Sequence, residues 1–300
     1  MQLLQSHQKD LGGGFMVRRL LPAAARRSVG PFVFFDHMGP VTEHAGNAHD
    51  VRPHPHIGLA TVTYLFEGAM MHRDSIGSEQ EILPGAVNWM TAGRGIVHSE
   101  RKPKRLLHGD FVNHGLQLWV ALPQDKEEVA PSFTHTGAAD IPEVSVQGHP
   151  LRVMVGDAFG AHSPVATFAP TLYLDIQLPR GGRIELPPAL AQEQALYVVQ
   201  GQVTLDGEAV PPYTMVLLPE EGRGCELRVV GDEPVRAVVI GGDALDGPRH
   251  IVWNFVSSRR ERIAQAGADW VAKRFDGVPG ETEFIPLPDH PAFREGERGM

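Results

Sequence analysis

The chain has one cysteine in 300 residues, Cys225, so an intramolecular disulfide and a thiolate metal cluster are both excluded. No apolar run approaches the roughly 18 residues that a membrane span requires. The opening stretch, Met1 to Phe15, mixes Gln, His, Lys and Asp with three glycines and offers no apolar centre for a signal peptide. Gly12 to Gly14 match no phosphate-loop spacing and read as a flexible entry. Positive charge is also scarce: 27 Lys and Arg face 36 Asp and Glu, a net charge of −9 with no long block of one sign. Such a chain has no field with which to recruit DNA or an anionic membrane. The expectations are a reducing cytosol, no direct nucleic-acid binding and no membrane partner.

What is present fits an ordinary globular protein, with 42% hydrophobic and 21% charged residues. The length allows one large domain or two ordinary ones. Short apolar runs divided by 33 glycines and 25 prolines dominate up to about residue 245. They include Thr61 to Phe66, Gly115 to Leu122, Thr171 to Leu178, Ala195 to Gln200, Tyr213 to Leu218 and Val235 to Ile240. In one of them Leu172, Leu174, Ile176 and Leu178 alternate with other residues, the period of a half-buried strand. Many short strands with tight turns predict an all-β barrel or sandwich architecture. One helix is expected. Ser258 and Glu261 read as a capping box, Ile263, Ala266, Trp270 and Val271 mark a face, and Asp276-Gly277 ends it. Gly267 costs that helix about 1 kcal/mol, so docking onto a barrel must stabilise it.

The sequence repeats itself. Tyr64-Leu65-Phe66-Glu67-Gly68 returns as Tyr197-Val198-Val199-Gln200-Gly201, and Gly93-Arg94-Gly95 as Gly222-Arg223-Gly224, which suggests two copies of one β-rich unit. The polar stretch around Thr134 to Pro150 divides them, giving domains at 1–135 and 136–300, the latter with the helix and tail.

Two pairs carry the chemistry: His54-Pro55-His56 and His98-Ser99-Glu100. Residues i and i+2 of a strand share a face, about 6.6 Å apart. Two such pairs on facing strands bring three imidazoles and a carboxylate to one point, a set suited to a divalent transition metal. The turn Ala92-Gly93-Arg94-Gly95 returns the second pair towards the first. The plain alternative is half-buried histidines satisfied by backbone groups, and His49 competes with His54 as a ligand. Across the repeat, His54 and His56 fall opposite Pro187 and Ala189, and His98 and Glu100 opposite Leu227 and Val229. The first half is therefore expected to bind metal and the second not.

His54-Pro55-His56-Ile57-Gly58, the run Thr63 to Gly68, the long segment Asn88 to Glu100 and Gly115-Leu116-Gln117-Leu118-Trp119-Val120 resemble the signature of the pirin family of the cupin superfamily. Phe32 to Pro40 and Trp253 to Pro288 extend the resemblance over nearly the whole chain. It implies a bicupin of two stacked antiparallel barrels, with a mononuclear metal site at His54, His56, His98 and Glu100 and a degenerate second barrel. Many cupins place a glutamate ligand four or five residues after the His-x-His; Ala60 and Thr61 stand here, so Glu100 must be the one carboxylate. Some pirins open the flavonol quercetin with dioxygen, and others are regulators that bind protein partners. Both roles are carried forward: a metal-dependent dioxygenase on flavonol-like aromatics with Glu100 as base, or a metal-containing protein that binds a partner without rapid turnover. The donor set suits Fe(II), taken as first choice, or Mn, Co, Ni, Cu or Zn. An octahedral ion would keep two positions open and a tetrahedral ion none.

Lesser candidates follow. His72 and Asp74 orient a ligand imidazole or lie in a solvated hairpin. His37 packs near a barrel end. Trp89 and Trp119 wall an aromatic pocket or fill the core. Arg101, Lys102, Lys104 and Arg105 attract an acidic group or face solvent.

Overall fold

The computed structural model describes residues 1–11, 14–46, 50–188, 190–219 and 224–294. His49, Ala189 and the repeat residues Gly222 and Arg223 lie outside them, as do Gly12 and Gly13. Among the described residues strand predominates, 51% against 7% helical, so the all-β expectation is met. Thr171–Leu178 is a strand over its whole expected length, Glu193–Gln200 and Val235–Gly242 bracket two further expected runs, and Thr214–Leu217 falls within a third.

The residues fall into two compact units of one design, a bicupin. The first-half unit holds Asp10–Met16, His37–His135 and Leu245–Met300; the second-half unit holds Met1–Lys9, Val17–Asp36 and Thr136–Ala244. Spatial grouping thus departs from chain order at both ends. The C-terminal helix and tail, placed by sequence with residues 136–300, group with the first half.

Each unit has a four-stranded antiparallel sheet with the same strand order. In the first-half unit it runs Val51–His56, Ile96–Arg101, Met70–Asp74, Glu79–Ile82. In the second-half unit it runs Arg183–Leu186, Cys225–Val230, Gln202–Leu205, Glu208–Val210. The larger sheet of the first-half unit contains Ser132–Thr136, Val87–Thr91, Leu59–Glu67 and Phe111–Ala121 as successive neighbours. The repeat seen in sequence is therefore a repeat of topology. The second-half core is hydrocarbon: Ile184, Leu186, Leu196, Leu227, Val229 and Val239 lie buried together.

The helix spans Arg260–Val271 and buries Ile263, Ala266 and Gly267; Val271 is exposed and does not belong to the buried face. The expected capping box is absent. Arg259 is the N-cap and, having no acceptor in its side chain, makes no cap bond; Ser258 lies one residue too early, and the hydroxyls of Ser257 and Ser258 donate to the buried carboxylate of Glu127 at 2.9 and 3.1 Å. Glu127 also pairs with the buried Arg249. Gly267 has a packing role: a Cβ there would collide with the Phe293 ring. Ile263 and Ala266 pack on Ile57 and Phe255 beside Trp270, Phe275 and Phe293. The helix thus docks on strand Phe255–Ser257 and on Ile57, the residue that follows His56.

Candidate metal centre

Antiparallel pairing of Val51–His56 with Ile96–Arg101 sets the centre. His98 lies opposite His54 and Ile96 opposite His56, which puts all three imidazoles on one face. Gly58 permits the strand to turn away immediately after His56, since its φ is +68° and a Cβ would strike the Val256 carbonyl. Ring centroids lie 4.4 Å apart for His54–His98, 4.9 Å for His54–His56 and 5.0 Å for His56–His98. One nitrogen from each falls within 4.8 Å of the others, and all three residues are buried.

The hydrogen bonds define which nitrogens face inward. His54 Nδ1 is 2.9 Å from the Arg52 carbonyl and His56 Nδ1 is 3.1 Å from the Asn254 carbonyl, so both Nδ1 atoms donate. Neutral rings held this way present Nε2 lone pairs. His98 reaches the same state through a relay. Asp74 Oδ2 accepts from His72 Nε2 at 3.0 Å, leaving His72 Nδ1 to accept from His98 Nδ1 at 3.4 Å. Asp74 Oδ1 is fixed by the backbone N–H groups of Ile76 and Ser78. Of the two readings of His72 and Asp74, the orienting pair is the one the structure shows; both are buried.

Electrostatics keep the rings neutral. Burial pushes His54 down to about 4, and holds His56 and His98 well below the usual imidazole range with help from neighbouring ring charges. His98 Nε2 is buried and without a hydrogen-bond partner. A buried orphan nitrogen is costly, and three lone pairs facing one another want a cation. The donor set, all nitrogen plus a neighbouring carboxyl, fits a divalent transition metal.

Glu100 follows a register shift after His98 and pairs across the sheet with His72, so it looks to the same face. Its oxygens fall outside the 4.8 Å grouping of the three histidines. Burial pushes its carboxyl up to about 7.

The other candidates settle as follows. Trp119 stands edge-on to His56 at 5.2 Å, whereas Trp89, paired with Val62, lies on the opposite face of its sheet. His37 is bonded to His114 at 2.8 Å, both buried. Arg101 is clasped by Glu281 and Glu283, and Arg105 by Glu81, so these cations are already paired. Two contributors left no signal in the sequence. The Asn254 carbonyl meets His56 from 198 residues away. Glu281 accepts from Ser99 and Arg101 and ties the tail to the strand between His98 and Glu100.

Paired antiparallel sheets with a buried three-histidine cluster on one of them define a bicupin with a candidate metal site. Residues 14–120 match the pirin family and residues 173–276 the pirin C-terminal cupin domain. A pirin-like protein from Caulobacter vibrioides is 47% identical, covering 96% of this chain and 99% of its own. The chain belongs to the pirin family, within the cupin superfamily. The crystal structure of a quercetin 2,3-dioxygenase from Acinetobacter baumannii superposes with a TM-score of 0.89 at 34% identity, covering 97% of this chain and 95% of that one. The Escherichia coli pirin YhhW, solved in complex with nickel(II), shares the fold, with a TM-score of 0.63 at 17% identity over 81% of this chain and 99% of that one.

Proposed function

We propose that the chain is a metal-dependent dioxygenase of the pirin type, opening quercetin-like flavonols with dioxygen. The observation that carries this is three buried imidazoles with one nitrogen of each within 4.8 Å of the others, and Glu100 on the same face of the strand that carries His98. Likeness to the Acinetobacter quercetin dioxygenase supports it. His54, His56, His98 and Glu100 would hold one divalent ion, with Fe(II) as first choice. The chemistry is assigned to residues 1–135, with 136–300 carrying no metal.

A metal bound there supplies Lewis acidity towards an enol oxygen and, if redox-active, a route for electrons to dioxygen. The protein does the rest. The three imidazoles stay neutral and fixed by their Nδ1 partners, so they are ready to ligate without first losing protons. Glu100, on loosening from the ion, takes the enol proton as general base. Trp119 beside His56 supplies an aromatic wall.

Iron-loaded protein mixed with quercetin in air should bleach the flavonol absorbance with matching oxygen uptake. No uptake, with a stoichiometric protein partner bound instead, contradicts the enzyme reading and favours the regulator.

A further inference from the structure

The inner face of the larger sheet in the first-half unit is polar at its centre. Cross-strand register places Trp119, Thr61 and Met90 in one row and Gln117, Thr63 and Asn88 in the next. Partners across a ladder share a face, and so do residues two apart on a strand. Two ring contacts identify that face. Trp119 touches His56, and Phe133 stacks on His72 at 4.3 Å. His135, two residues beyond Phe133, brings its Nδ1 within 2.7 Å of Asn88 Oδ1. Both rows therefore look towards the histidine centre, and the second lies about 6.6 Å further along the strands than the Trp119 row.

That second row is a hydrogen-bonding set with one donor left over. Thr63 Oγ1 donates to Gln117 Oε1 at 2.8 Å, and His135 donates to Asn88. Asn88 is 2% exposed, yet its Nδ2 has no partner. Buried donors left unpaired cost about 1–3 kcal/mol and are rare. The opposite face of the same strands carries Val62, Tyr64, Val87, Leu116 and Leu118, all buried. The amide and hydroxyl side chains Thr63, Gln117 and Asn88 thus lie on the side that faces the histidine centre, while the opposite face is mainly apolar, with the Tyr64 hydroxyl and the Trp89 indole N–H among its polar groups. Gln117 is partly exposed although its strand has neighbours on both sides, so the space it enters is open to solvent.

We infer that Asn88 is a specificity-determining residue, its Nδ2 donating to an oxygen on the substrate about one aromatic ring away from the oxygen held at the histidine centre. His135 and the Thr63–Gln117 pair fix the amide's orientation and the row around it. The ligand class is an aromatic with an enol or phenol at one end and a second oxygen substituent at the other. This rests on the proposed function only in taking the histidine centre to receive an oxygenated aromatic. A site built around such a donor discriminates strongly against a ligand lacking the acceptor.

The test uses zinc-loaded full-length protein, so that binding is read without oxygen chemistry. Wild type, Asn88→Asp (same shape, no donor) and Asn88→Leu are titrated by tryptophan fluorescence, with metal content and melting temperature measured for each. Three probes are used: quercetin, 3-hydroxyflavone (which lacks the remote hydroxyls) and protocatechuate. Quercetin should bind at least tenfold more weakly to both variants, with 3-hydroxyflavone unchanged. Equal losses for both flavonols, or no loss for any probe in a folded, metal-loaded variant, overturns the inference. If no flavonol binds wild type but protocatechuate binds in an Asn88-dependent way, the flavonol reading fails and the subsite stands. If none of the three probes binds wild type, both fail.

Discussion

At the scale of single residues, the centre works by controlling which nitrogen carries a proton. His54 and His56 use backbone carbonyls for this, and His98 uses the buried Asp74–His72 pair. Replacing Asp74 with Asn removes the acceptor that sets His72's tautomer. Metal affinity, measured by competition with a chelator, should fall about 10–100-fold, while unchanged affinity would remove the relay from the account. Glu100 makes a separate prediction. Glu100→Gln should retain most of the metal and slow flavonol turnover at least tenfold, read by single-turnover bleaching. The same change should raise the melting temperature of metal-free protein at pH 8. Burial costs the ionised carboxylate, and the amide is spared that cost. The gathering of His54, His56 and His98 was legible in the sequence because residues two apart share a strand face; Glu100, expected as the fourth ligand, follows a register shift and lies outside their grouping. Asn88, Thr63 and Gln117 were legible in principle, as polar residues alternating with Val, Leu and Trp on neighbouring strands. Their common direction emerges only from cross-strand register.

At the scale of elements, the strands were readable from alternation and the helix from its apolar spacing, but the helix's start was not. Ser258-x-x-Glu261 has the spacing of a capping box, but Ser258 is held by Glu127 through both its N–H and its hydroxyl, and the helix is capped one residue later at Arg259. Glu127 lies more than a hundred residues away in sequence, so no local pattern reveals it. It joins Arg249, Ser257 and Ser258 in one buried cluster that fixes the approach to the helix. Breaking a buried ion pair by removing one partner costs about 3–5 kcal/mol. Glu127→Ala should therefore lower stability by about that amount in urea unfolding of metal-free protein. It should also weaken metal binding, because the Asn254 carbonyl that orients His56 lies on the same anchored segment. Loss of stability with intact metal affinity would separate the two roles.

At the scale of the whole molecule, two copies of one topology have diverged: the first half keeps a polar centre, and in the second half the corresponding Leu227 and Val229 are core residues. The repeat was visible because short motifs survive at matching positions. The exchange of terminal segments between the units was not visible, since chain order carries no information about where a tail docks. Acid stability follows from the first-half centre. The histidines titrate lower in the folded chain than the ordinary value of about 6.5, so between that value and about 4 the unfolded chain binds more protons. Their contribution is complete above pH 6.5 and is lost as pH falls towards 4; for His54 alone it is roughly 3 kcal/mol. Glu100 has the opposite sign, contributing fully below its ordinary 4.5 and losing that contribution as pH rises through about 7. Calorimetry of metal-free protein should show a steep fall in melting temperature from pH 6.5 to 4, flattened in His98→Asn.

The most direct measurement is anomalous diffraction at the metal's absorption edge from crystals of metal-replete protein. A single peak per chain, about 2.0–2.2 Å from the Nε2 atoms of His54, His56 and His98 and from a Glu100 oxygen, is the predicted result. A peak bound elsewhere, or none at these side chains in fully loaded protein, contradicts it.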